Sequence, residues 1–186
     1  MNVFTKIVFS FALFASLGNT ASVTDVGCSK DATVVFNLQQ CGDSPCALIN
    51  HGTDNTLAAS LQNDEVVRML IGFDLPAGLN KISQCQLRLQ QPVSSPGGAY
   101  MLTASEASND WDEDLVNGQS NIPTGNVLGS VDVSGSARPD FIDVTAACKY
   151  AAKNSRSFSV WIDSSGPAVI FPSRQTGAST VLRIVS

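Results

Sequence analysis

An all-β chain, folded as one sandwich with a single short helix, is predicted by three observations. Glu65–Pro76 alternates: Val67, Met69, Ile71, Phe73 and Leu75 point one way and Val66, Arg68, Leu70, Gly72 and Asp74 the other, the period of a strand with two unlike faces. Segments of the same style recur along the chain between turn residues, a spacing that suits a sandwich better than a parallel sheet. Helical signature is confined to Thr145–Lys153, opened by Asp143-Val144-Thr145 with Asp143 or Thr145 as its cap. At 186 residues the chain has room for one domain with a real core.

The first strand is expected at Ala32–Leu38 and a short second one at Leu57–Leu61, entered through the turn-rich Asn50–Asn55. The third, Val66–Leu75, ends at Pro76, which has no ladder donor and restricts the residue before it. Ile82–Gln90 is the fourth, with Cys85, Leu87 and Leu89 on one face and Ile82, Gln84, Gln86, Arg88 and Gln90 on the other. Pro92–Gly98 breaks the chain and Ala99–Ala104 resumes it. Ser105–Pro123 reads as a long irregular segment, with Trp111 among acids and amides. Val127–Val133, Phe141–Asp143, Phe158–Asp163 and Val181–Val185 complete the strands.

Residues 1–21 read as a signal peptide. Lys6 precedes Ile7–Leu17, an almost unbroken apolar run, and small residues at Ser16, Gly18 and Ala21 place cleavage after Gly18 or Ala21. The run is far shorter than the ~20 apolar residues of a spanning helix, so no membrane insertion is expected. Residues 22–186 form the mature domain, expected to be secreted and monomeric. Acidic side chains outnumber basic ones, 16 to 11, and Lys and Arg are scattered along the chain. That argues against nucleic acid and against an anionic membrane surface.

Export permits disulfides. Cys41-Gly42-Asp43-Ser44-Pro45-Cys46 has a turn-forming centre, which makes a Cys41–Cys46 staple easy. Cys85 and Cys148, each in or beside a regular element, are paired as a core-crossing bridge. Cys28 is the odd cysteine and could take either residue of the first pair instead. A zinc site finds no Cys-x-x-Cys, and His51 is the only histidine.

Phe158, Val160 and Ile162 form the apolar face of their strand, leaving Trp161 on the other face with Ser159 and Asp163. There an aromatic ring is available to stack on the apolar C–H face of a sugar. The same parity puts Arg68, Gln86 and Arg88 on outward faces, where amides and guanidiniums read hydroxyls and carboxylates. Trp161, Arg68, Arg88 and Gln86 are therefore the candidate carbohydrate contacts if their strands share one sheet. The alternative is that Pro92–Gly98 or Ser105–Pro123 covers Trp161 and completes the packing. For Arg68 and Arg174, structural pairing with acids such as Asp74 or Asp143 is expected.

The alternate carboxylates Asp110, Asp112 and Asp114 are candidate calcium ligands. Leu115 stands where an EF-hand loop needs glycine, and no helices flank the segment, so no cofactor is expected beyond such a non-standard calcium site. No catalytic residue is assigned, since His51 lies in a turn-rich loop without a nucleophile elbow.

Several segments, in order, resemble one family. Arg68–Leu75 resembles an "R-x-L-L-x-F-D-L" strand and Ile82–Leu89 an "I-x-x-A-x-L-x-L" strand. Trp111–Asp114 sits where the family tends to carry "W-x-E", and Asp143-Val144-Thr145 resembles a "D-V-T" helix start. Phe171-Pro172-Ser173-Arg174-Gln175, followed by Thr180–Ile184, resembles a closing "F-x-S-R-E … P-x-L-x-V". These are the marks of DNRLRE-type domains, grouped as carbohydrate-binding module family 96. The resemblance implies a sandwich of jelly-roll type, secretion, and binding to polysaccharide at a cell wall or extracellular matrix. Gln175 departs from the pattern and would remove a charge partner from Arg174. A structural or interaction protein of the cell surface on the same sandwich is the alternative expectation, and a polysaccharide lyase or hydrolase a third.

Overall fold

The computed structural model describes residues 21–37, 39–62, 65–79 and 81–186; the apolar run of the expected signal peptide lies outside the described residues. The strands are β1 (Val23–Gly27), β2 (Lys30–Val35), β3 (Gln40–Cys41), β4 (Ser44–Pro45), β5 (Thr56–Gln62), β6 (Glu65–Asp74), β7 (Gln84–Arg88), β8 (Ala99–Ala107), β9 (Thr124–Ser134), β10 (Ile142–Asp143), β11 (Ser157–Ser164), β12 (Val169–Pro172) and β13 (Val181–Val185). Helix α1 is Thr145–Lys153. A four-stranded sheet runs β1-β13-β7-β10, and a larger one runs β12-β5-β6-β11-β8-β9, with β2 also pairing with β6. The chain is an all-β sandwich with one short helix.

The expected alternation sets the core. Met69, Ile71 and Phe73 of β6 meet Phe158, Val160 and Ile162 of β11 and, from the other sheet, Cys85, Leu87, Leu182 and Ile184. Phe73 and Phe158 stack with ring centroids 5.5 Å apart. Helix α1 closes one side through Ala147, Cys148 and Ala151. Its N-cap is Val144, without a side-chain cap bond, and not the expected Asp143 or Thr145; Asp143, one residue earlier, accepts the Thr145 amide at its Oδ1 at 2.8 Å. Thr145 Oγ1 instead accepts the Cys85 amide at 2.9 Å, tying the helix to β7. Both expected disulfides form: Cys41–Cys46 closes the β3–β4 turn and Cys85–Cys148 anchors α1 to β7.

Three features escaped the alternation. Strand β1, the β3–β4 ladder and β12 have no counterpart among the expected strands. Strand β12 has four residues and ends in Pro172, a residue admitted at an edge because its missing donor faces no neighbour. Strands β8 and β9 reach Ala107 and start at Thr124, so the irregular segment shrinks to residues 108–123.

That segment folds back over the outer face of the larger sheet. Asn50 Nδ2 donates to the carbonyls of Glu113 and Val116, both at 2.8 Å. Two glycines permit the docking: a Cβ on Gly118 would overlap the Val35 carbonyl, and one on Gly52 the Glu113 carbonyl.

Candidate functional site

Trp161 lies on the predicted face of β11, but its ring is 1% exposed. It belongs to a second apolar cluster with Ala32, Val34, Leu70 and Val116, flanked by Phe36, Trp111 and Ile122. The expected sugar platform is therefore covered. Parity places a side chain on a face and says nothing about what lies over it, and here the 108–123 segment does. Arg68 stacks over the Trp161 ring at 4.5 Å. Its guanidinium grips Asp163 with Nε–Oδ1 2.6 Å and Nη2–Oδ2 2.9 Å, and Nη1 donates to Thr124 Oγ1. Asp163, not Asp74, is the partner.

The expected shared sheet also fails. Arg68 and Trp161 lie on the larger sheet, and Gln86 and Arg88 on β7 of the smaller one. The second pair has surroundings of its own. Asp25, Arg183, Gln86 and Asp143 stand in register across β1, β13, β7 and β10. Arg88 and Arg183 each sit 5.5 Å from the Phe141 ring, and Arg183 holds Asp25 with two bonds of 2.9 and 3.0 Å. That pairing keeps the Asp25 carboxyl below its ordinary range.

The motif acids and arginine make a structural pin. Arg174 Nε donates to Glu113 Oε1 at 2.8 Å and Nη2 to Oε2, while Glu113 Oε1 also accepts the Asp31 amide at 2.7 Å. Arg174 thus finds its acid in the tryptophan motif, not in Asp143, and is paired although Gln175 stands in place of an acid. Gln175 Nε2 donates instead to the Gly52 carbonyl at 3.1 Å. Asp31, 1% exposed, accepts the Arg174 amide at its Oδ2, while its Oδ1 has no partner among the described residues. Burial pushes its carboxyl up to about 6, with Glu113 adding to the rise and the Arg174 amide opposing it. Burial, with the Asp31 carboxylate beside it, lifts the Cys28 thiol to about 12. A thiol so held is a poor nucleophile.

Asp110, Asp112 and Asp114 do not gather: among the described residues no group of three or more His, Cys, Asp or Glu is placed to hold a metal ion. Asp112 Oδ1 accepts the Asp114 amide at 2.9 Å, a local turn bond.

A concavity lies elsewhere. A cleft of about 400 Å3 opens between α1 and the β8–β11 rim. Tyr150 of α1, 71% exposed, stands at its edge. Ala147, Ala151, Ala107 and Phe158 supply apolar lining, and Glu106, Asn109, Ser155, Ser157 and Ser159 supply polar groups. These polar groups are aligned in a chain. Trp111 Nε1 donates to Ser159 Oγ at 2.9 Å, Ser159 Oγ to Asn109 Oδ1 at 2.6 Å, and Asn109 Nδ2 to Ser157 Oγ at 2.9 Å. Glu106 Oε2 accepts from the backbone and side-chain amides of Asn126, each at 3.2 Å. Such a cleft joins an aromatic face to fixed hydroxyl, amide and carboxylate groups, the pairing a sugar ring needs. Sequence reasoning missed it, because Tyr150, Asn109 and Ser157 come from three separate segments. The one available signal was a tyrosine on the polar side of an amphipathic helix.

The fold defines the class, an all-β sandwich with one short helix. The family model for carbohydrate-binding module family 96 matches residues 42–186, and the chain belongs to that family. A protein of Arthroderma benhamiae, described as an uncharacterized secreted protein, is 33% identical over 157 residues, covering 76% of this chain and 80% of its own length.

Proposed function

We propose that this protein is a secreted, non-catalytic carbohydrate-binding module acting on an extracellular or cell-wall polysaccharide, with the Tyr150 cleft as its sugar site. The observation that carries the reading is the exposed Tyr150 ring beside the Asn109–Ser157–Ser159 hydrogen-bond chain. The tyrosine covers the apolar face of a ring at little conformational cost, while Asn109, Ser157 and the second Glu106 oxygen read its hydroxyls. Family membership supports the substrate class. The described relative and the signal-peptide reading support export.

The lining supports binding without turnover. Glycoside cleavage uses two carboxylates about 5–9.5 Å apart, and Glu106 is the one carboxylate lining this cleft among the described residues. Its Oε2 is already held by Asn126.

A second reading, a cell-surface structural protein without a sugar site, is favoured by the covered Trp161. Retention of the mature domain on immobilised alginate, chitin, β-glucan and cellulose, beside Tyr150→Ala, separates the two. Retention on one polymer that drops at least tenfold in the folded variant supports the cleft. No retention of the folded wild type on any polymer supports the structural reading.

A further inference from the structure

Helix α1 has a second cleft on its other flank, of about 310 Å3, lined by Leu79, Lys81, Ile82, Lys149, Ala152 and Lys153. Among the described residues, seven cations are already held by the protein. Lys30 donates to the carbonyls of Asn109 and Trp111, and Arg156 to that of Leu75. Arg138 donates to the Leu89 carbonyl and to Gln90. Arg68, Arg174 and Arg183 are paired with Asp163, Glu113 and Asp25, and Arg88 lies against Phe141. Lys81, Lys149 and Lys153 remain, with no hydrogen bond or ion pair to a described residue. All three line this one cleft, although in sequence the basic residues are scattered.

The arrangement has a cost. Lys149 and Lys153 are four apart on α1, and like charges at that spacing repel across one helix turn. Lys153, in the last turn, recovers a little from the helix dipole, but Lys81 adds a third positive charge from the segment before β7. Among the described residues, no acidic side chain lines the cleft.

We propose that this cleft binds a sulfate or phosphate group. Three mobile ammonium groups act as point charges and suit a tetrahedral oxyanion, whereas planar carboxylates are matched by the arginine fork that is missing from this cleft. The group comes either from a free anion or from a substituted polysaccharide. The site is independent of the Tyr150 cleft.

The test uses the mature chain and Lys81→Gln/Lys149→Gln/Lys153→Gln, substitutions at surface positions whose melting temperature confirms the fold. Wild type and variant are titrated with inorganic sulfate, inorganic phosphate, dextran sulfate and dextran, following amide resonances and affinity. Shifts confined to residues around 79–82 and 149–153, with at least tenfold weaker binding in the variant and none to dextran, are expected. Tyr150→Ala should bind dextran sulfate like wild type. Tighter binding of dextran sulfate than of inorganic sulfate assigns the group to a polymer, and the reverse to a free anion. Shifts spread over the whole surface, no shift at all, or unchanged binding in the folded variant would overturn the site.

Discussion

Arg174 and Glu113 are 61 positions apart, yet the two-point contact between them clamps the 108–123 segment to the turn after β12. Glu113 is the more enclosed partner, with 12% of its side chain exposed against 34% for Arg174. Arg174→Ala strands that carboxylate and should cost about 2 kcal/mol, less than for a fully buried pair. Arg174→Lys should recover only part of the loss, because an ammonium cannot make the parallel bonds; thermal denaturation of the three proteins checks this. Asp31 supplies a pH signature. Its carboxyl sits at about 6 when folded, against an ordinary 3.8, so between these values the folded state binds the proton more tightly than the unfolded chain. Stability from this residue is therefore full below the lower value and is lost as pH rises through the upper one. The melting temperature should rise by about 3 °C between pH 7 and pH 5 on this account, and Asp31→Asn should abolish that increment.

At the scale of elements, the 108–123 segment decides which aromatic is free. Gly118→Ala must push this segment off the Val35 carbonyl. Trp161 should then become accessible, and acrylamide quenching of its fluorescence in the folded variant should increase at least twofold. Unchanged quenching would mean that β2 shifts instead. The two bridges should also differ: removing Cys85–Cys148, which spans 63 residues, should cost about 4 kcal/mol, and removing Cys41–Cys46, which spans 5, about 2. Urea unfolding of the double-serine variants checks the order. Alternation in β6, β7 and β11 was legible from sequence because one face of each carries the apolar run that enters the main core, and Asp143-Val144-Thr145 marked the helix start. What covers Trp161, which acid meets Arg174 and which strands share a sheet were not legible. Each depends on contacts between segments far apart in the chain, and local pattern carries no trace of them.

Over the whole molecule, α1 stands between two clefts of different character, an aromatic and hydroxyl-lined one and a lysine-lined one. The buried tryptophan belongs to the second apolar cluster of the larger sheet and lines neither cleft. Removing Trp161 should cost about 3–5 kcal/mol of stability, so a loss of sugar retention in that variant would report unfolding and not a lost contact. The second polar surface, around Gln86, Arg88 and Phe141, lies on the opposite sheet and gives the account a clear rival. Mapping amide shift changes in the mature domain with an oligosaccharide of the retained polymer tests the central claim most directly. The account predicts changes at 106–109 and 147–159, around Tyr150. Changes confined to 84–88, 141–143 and 183 would contradict it and move the sugar to the outer face of the smaller sheet.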